Sequence, residues 1–127
     1  NTLVAVEAIT PGMLIELHND GTYGLCWGVH DSADQPAAKA VALDQIELNK
    51  LVSDAYSAGD LVKAGYFLSG ERFWGLIPPG QNITQGDLLQ SNGDGKLKAF
   101  SAGPGGFVAC SSPGSVTVDT RIWVEVL

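Results

Sequence analysis

His18 and His30 are the two histidines of a chain that also holds fourteen acidic residues and two cysteines. An imidazole next to a carboxylate can act as a general base, bind a metal or report pH near neutrality. Neither histidine has a Cys or a second His at ligand spacing, and no CxxC or HExxH pattern is present. Each therefore reads as a surface or strand-end residue. The acid pairs Asp31/Asp34 and Glu7/Glu16 read as solvated charge. Gln90-Ser91-Asn92-Gly93-Asp94-Gly95 has the outline of a calcium loop, but its first position is not an acid. Its twelfth, Ser101, is not the bidentate Glu such a loop uses. A turn is the better reading there. Gly103-Pro104-Gly105-Gly106 lacks the Lys-Ser/Thr of a phosphate cradle, and Ser112 and Ser115 lie in a Pro-Gly loop without a nucleophile elbow. Cys26 and Cys110 sit in apolar runs and read as reduced thiols, with a disulfide as the alternative. The sequence points to no catalytic residue, no cofactor and no metal.

The aromatic residues carry more information. Phe73-Trp74 adjoin on an expected strand, so the two rings must point to opposite faces of it. Tyr66-Phe67 do the same on the strand before, and Trp123 lies opposite the aliphatic face of the last strand. One ring of each pair fills a core, and the other faces outward or into a neighbour. Outward rings on an acidic, hairpin-rich domain suggest a subunit or protein–protein interface, unless a second layer of the same domain covers them.

These residues are positioned by a turn pattern that recurs. Residues 9–22 (ITPGMLIELHNDGT) and 83–96 (ITQGDLLQSNGDGK) align without a gap, and Tyr56-Ser57-Ala58-Gly59-Asp60-Leu61-Val62 repeats the opening half. A Gly-Asp or Gly-Met step before a Leu-aliphatic pair is a turn leading into a strand. Asp20-Gly21 and Asp94-Gly95 are expected to supply the positive φ of tight hairpins. Met13–Leu17 and Thr22–Val29 make the first hairpin. Leu61–Leu68 and Phe73–Ile77 make another around Ser69–Arg72, and Pro78-Pro79-Gly80 stops it. Leu88–Ser91 and Lys96–Phe100 flank a third turn, and Phe107–Cys110 is a short strand. Thr120–Leu127 alternates with Ile122, Val124 and Val126 on one face. Ala37–Leu51 is ambiguous between helix and a strand at Ala40–Leu43 followed by a helical turn.

The expected fold is mainly β, a small single domain of short antiparallel hairpins (β-barrel, β-clip or β-tulip-like) with at most one short helix near residues 44–51. Residues 1–10 form an N-terminal arm or edge strand, and 11–127 the β-rich domain. The chain has 127 residues, 45 % of them hydrophobic, with 16 Gly and 6 Pro. That suits one all-β domain with many turns. A net charge of −7 and scattered basic residues argue against nucleic-acid binding. No stretch approaches the roughly 20 apolar residues of a membrane span. NTLVAVEAITPG has no basic n-region and is not read as a signal peptide, while the lack of an initiator Met leaves room for residues ahead of Asn1.

Three segments in order, Asp54–Val62, Gly80–Leu97 and the ending Asp119–Leu127, resemble the small head decoration (cement) proteins of tailed bacteriophages. The resemblance runs over the second half to two-thirds of the chain. It implies a structural protein made in the host cytoplasm and carried on the outer capsid surface of the virion. Its partners would be the major capsid protein and itself, as a homotrimer or a dimer, and it would clamp neighbouring capsid subunits. It carries over no catalytic residues. Leu3, Val4, Val6, Phe67, Trp74 and Trp123 are the candidate capsid or subunit interface, with the apolar segment Leu3–Ile9 expected to add a strand to a neighbour. Two other classes remain. One is a β-clip-like carbohydrate-binding module stacking sugars on Trp74 or Trp123. The other is a hydrolase, which requires a pocket holding His18 or His30 beside an acid.

Overall fold

The recurring turn is the unit from which the fold is built. A computed structural model describes residues 3–33, 40–44, 54–101 and 105–127. In Thr10-Pro11-Gly12-Met13, Ser57-Ala58-Gly59-Asp60 and Thr84-Gln85-Gly86-Asp87 the glycine sits at φ 96°, 91° and 92°. The fourth N–H donates to the first carbonyl at 3.1, 3.0 and 3.0 Å. These are type II turns, whose third position favours Gly. The Asp60 and Asp87 carboxylates accept from the first N–H of their turns at 2.9 and 2.8 Å. Met13 Sδ takes that place in the first copy, at 3.4 Å. Leu68-Ser69-Gly70-Glu71 closes in the same way, with Gly70 at φ 89° and Glu71 Oε1 accepting from the Leu68 N–H at 2.6 Å.

Each turn is docked as well as closed. The Gly12, Gly59, Gly70 and Gly86 N–H groups donate to Ala42, Ala5, Val126 and Ala109 carbonyls at 2.7–2.8 Å. The first hairpin differs from expectation. Asp20 Oδ2 accepts from the Thr22 and Tyr23 N–H groups, and the positive φ falls on Gly24 (70°) instead of Gly21. Its loop is therefore longer than a two-residue turn. Gly95 takes the expected conformation, φ 83°.

Eleven strands are present among the described residues: β1 (Ile15–Asp20), β2 (Gly24–Val29), β3 (Ala40–Ala42), β4 (Ala64–Tyr66), β5 (Arg72–Ile77), β6 (Asn82–Ile83), β7 (Leu88–Ser91), β8 (Leu97–Ala99), β9 (Phe107–Ala109), β10 (Gly114–Ser115) and β11 (Thr120–Val126). They form a five-stranded antiparallel sheet, β5-β11-β9-β7-β8, and three two-stranded sheets, β1-β2, β3-β4 and β10-β6. The fold is all-sheet, a small domain of antiparallel hairpin sheets that do not close into a barrel. No helix occurs among the described residues, and the short helix expected near 44–51 lies, apart from Asp44, outside them.

The strand expected at Leu61–Leu68 shortens to β4 and does not pair with β5. β4 pairs with β3, and β5 pairs with β11. The physical reason is length and pattern. β11 presents a seven-residue alternating strand, and the Gly70 turn is hydrogen-bonded to Val126 at its end. That steers β5 onto the long strand.

Alternation then sorts the side chains. Phe73 and Ile77 of β5, Ile122, Val124 and Val126 of β11, Phe107 and Ala109 of β9, Leu89 of β7 and Leu97 of β8 share the inner face of the five-stranded sheet. They form the main core with Leu14, Val41, Ile83 and Val116. Each large aliphatic or aromatic side chain there contributes about 1.5–3 kcal/mol by leaving water. A second core gathers Ala5, Ile9, Ile15, Trp27, Ala40, Ala42, Tyr56 and Val62. Tyr56 anchors it, donating to the Leu43 carbonyl at 2.5 Å and accepting from the Lys63 N–H at 3.3 Å.

A candidate interaction surface

The outward face of the five-stranded sheet is where the aromatic alternation leads. Trp123 of β11 and Trp74 of β5 are direct cross-strand partners, with ring centroids 5.1 Å apart and planes inclined at 53°. They are 38 % (Trp74) and 49 % (Trp123) exposed, so no second layer of the described residues covers them. Two indoles at that inclination form a ridge and not a flat platform. The register places Arg72 opposite Glu125 on the same face, joined by an Nε···Oε1 contact of 3.1 Å. Val108 of β9 lies beside Glu125, Leu88 of β7 beside Val108, and Phe100 beside Leu88. Leu88 and Phe100 are exposed and Val108 is half-buried, so an apolar row runs over β9, β7 and the end of β8; across β11 and β5 the same row continues as Glu125 and Arg72, beside the tryptophan ridge.

Arg121, on the same face of β11 as Trp123, ties the ridge to the first turn. Its Nη1 donates to the Pro11 carbonyl at 2.6 Å, with the Trp74 carbonyl oxygen 3.5 Å away. Burial lowers its pKa from the ordinary arginine value, and the Asp44 carboxylate pulls the other way. An arginine remains charged throughout the physiological range. Gly12 makes the approach possible, because a Cβ there would sit against the Trp74 carbonyl oxygen and 2.6 Å from Arg121 Nη1. A small cleft between the Pro11-Gly12 turn, Val41–Asp44 and Trp74 borders the ridge, and a second lies between Gly86–Leu88 and Ala99-Phe100.

Of the six residues expected at an interface, Trp74 and Trp123 come together on this face. Phe67 is partly buried against the main core, its ring 5.4 Å from that of Phe73, while Tyr66 takes the outward place. Leu3, Val4 and Val6 lie elsewhere, in a segment already paired on both sides by its own chain. Ala5 N–H donates to the Asp60 carbonyl and Val62 N–H to that of Leu3. On the other side Trp27 N–H donates to Val4 and Val6 N–H to Trp27. Ile9 bridges Tyr56. The edge expected to be offered to a neighbour is filled internally. Leu88 and Phe100 went unnoticed in the sequence. Their parity relative to Leu89 and Lys98 was the available signal, but it has a direction only once the sheet is assembled.

The remaining chemistry-bearing residues are placed as follows. His30 is buried, with Nδ1 2.6 Å from Ser91 Oγ, which also accepts from the Gly93 N–H at 3.2 Å. Ser91 is itself buried, and neither of the two clefts is lined by a histidine. His18 lies over Gly28, 3.5 Å from Glu16. Cys26 and Cys110 are free thiols. Among the described residues no three His, Cys, Asp or Glu side chains gather as a metal site, and no helix is long and apolar enough to cross a membrane. The Asn92–Gly95 stretch is a turn in which Asp94 Oδ1 accepts from Asn92 Nδ2 and the Lys96 N–H, both at 3.1 Å. No family model matches the sequence, and a search of curated proteins finds no significant match.

Proposed function

We propose that the protein is a structural virion component, a decoration protein that binds the outer surface of a mature tailed-phage capsid and clamps neighbouring capsid subunits. The observation that carries this reading is the Trp74–Trp123 ridge, an apolar surface ready for desolvation on a sheet whose opposite face forms the main core. Paired indoles on a rigid sheet are typical anchors of protein contacts, since they bury large areas with little side-chain entropy to lose. The ordered resemblance of residues 54–62, 80–97 and 119–127 to phage cement proteins supplies the partner, the major capsid protein, and a homo-oligomeric state.

The mechanism is mass action. A protein that binds the assembled lattice and not its free subunits stabilises the lattice by its binding free energy at every site. An oligomer multiplies modest contacts by avidity. The test is co-sedimentation with expanded, DNA-filled heads and with unexpanded proheads. Saturable binding to expanded heads at a fixed ratio to capsid protein is expected, and absence of binding to both overturns the reading. Carbohydrate stacking on the same indoles is the second reading. Their mutual tilt offers a sugar ring no flat two-indole surface, and a tryptophan emission change on glycan titration would favour it.

A further inference from the structure

The turn between β7 and β8 carries an Asn-Gly step that its surroundings impose. Gly93 sits at φ 90°, and a Cβ there would lie 2.9 Å from the Ala33 backbone nitrogen and 3.2 Å from the Ala33 Cβ, so only glycine fits. Asn92 donates from Nδ2 to Asp94 Oδ1 at 3.1 Å. An aspartate at 92 would set carboxylate against carboxylate, so the turn asks for the amide.

Asn-Gly is also the dipeptide most prone to lose ammonia, because no side chain shields the glycine nitrogen. The Gly93 nitrogen gives up its proton and attacks Asn92 Cγ. The side-chain nitrogen leaves with a proton as ammonia, and a cyclic imide remains. Water opens that ring at either carbonyl, leaving aspartate or isoaspartate at position 92.

Three hydrogen bonds stand against the first step. The Gly93 N–H donates to Ser91 Oγ at 3.2 Å, Asp94 holds the Asn92 amide, and the Asn92 N–H donates to the Lys96 carbonyl at 2.9 Å. Attack requires Gly93 to leave Ser91 and the Asn92 amide to swing away from Asp94. Ser91 is itself fixed, since it is buried with its Oγ 2.6 Å from His30 Nδ1.

From this geometry we propose that Asn92 is a deamidation site that the fold holds closed, with Ser91 as the positioning residue that keeps the Gly93 nitrogen from attacking. Its place in the fold gives the lock its importance. Gly95, two residues on, accepts from the Leu14 N–H at 2.8 Å and donates to the His30 carbonyl at 3.2 Å. β7 and β8 pair as far as Ser91 and Leu97. Isoaspartate would route the main chain through a side-chain carbon and lengthen the turn where the two cores are joined. The conversion is irreversible, so each lapse of the lock is permanent.

The purified full-length chain is incubated at neutral pH, folded and in concentrated urea. Mass spectrometry of the tryptic fragment ending at Lys96 follows Asn92, with Asn82 in the same fragment as internal reference. Asn92 is expected to deamidate slowly in the folded chain and fast in urea. Ser91→Ala should speed the folded-state reaction about fivefold, the worth of one hydrogen bond, and leave the urea rate unchanged. Val124→Ala weakens the main core without touching the turn, so its folded-state rate should match that of the wild type. Near-UV circular dichroism checks folding, and Asp94→Ala, which frees the Asn92 amide, replaces Ser91→Ala if the latter does not fold. Equal wild-type rates in the folded chain and in urea would overturn the proposal, as would equal acceleration by Val124→Ala. So would a Ser91→Ala rate no faster than wild type; a slower one would make the Ser91–His30 pair a base that drives ring closure instead of a lock against it.

Discussion

At Gly12 two demands fall on one residue. The type II turn requires φ 96°, and the Trp74 carbonyl and Arg121 guanidinium occupy the space a Cβ would need. Gly86 meets only the first demand, at φ 92° with nothing within 4 Å of the point a Cβ would occupy. Gly86→Ala is therefore expected to cost the left-handed penalty alone, about 1–2 kcal/mol. Gly12→Ala is expected to cost about 3 kcal/mol or more, since β5 must move as well. Urea unfolding of both variants measures the difference, and equal losses would show that the close approach at Gly12 is not maintained.

Elements here are fixed by what lies on either side of them. β11 is paired by β5 and β9, with Val124 buried inward and Glu125 turned outward toward Arg72. Val124→Ala should cost about 2 kcal/mol through the lost transfer energy and the cavity left against Phe73 and Gly75. Glu125→Ala, which loses one exposed ion pair, should stay within about 0.5 kcal/mol in the same denaturation experiment. The segment Leu3–Ile9 is held between Trp27 and the Tyr56–Val62 stretch, so it behaves as an interior strand despite its place in the chain. Deleting residues 1–9 would strip hydrogen bonds from both neighbours and remove Ala5 and Ile9 from the second core. Loss of cooperative unfolding is expected; a folded deletion variant with native near-UV dichroism would refute that role.

For the molecule as a whole, the two cores are stitched together. Leu14 comes from the N-terminal part of the chain yet packs in the main core. Its N–H donates to the Gly95 carbonyl at 2.8 Å, the Gly95 N–H donates to that of His30 at 3.2 Å, and His30 Nδ1 meets Ser91 Oγ at 2.6 Å. One cooperative unit follows. A variant keeping Trp27 alone reports the second core, and one keeping Trp74 and Trp123 reports the sheet. Each variant's fluorescence transition is expected to share its midpoint with its own far-UV dichroism. A fluorescence midpoint displaced from that of the backbone would mean the cores unfold separately.

Much of this was legible in the sequence because it depends on short-range geometry. The x-x-Gly-Asp turns could be read since only Gly accepts the φ they impose, and since an Asp one position later reaches back to the first N–H. The two faces of β11 could be read since a strand alternates with period two, which also put Trp74 opposite Phe73 in orientation. Partners could not be read in this way. That β5 joins β11 and not its neighbour in sequence, and that Leu3–Ile9 is enclosed instead of offered as an edge, depend on contacts between residues tens of positions apart. Nothing in local propensity encodes them. The tryptophan ridge shows both halves of the argument. Alternation along the chain turned each indole away from the core, but only the β5-β11 register set the two side by side, with Arg72 and Glu125 as their flank.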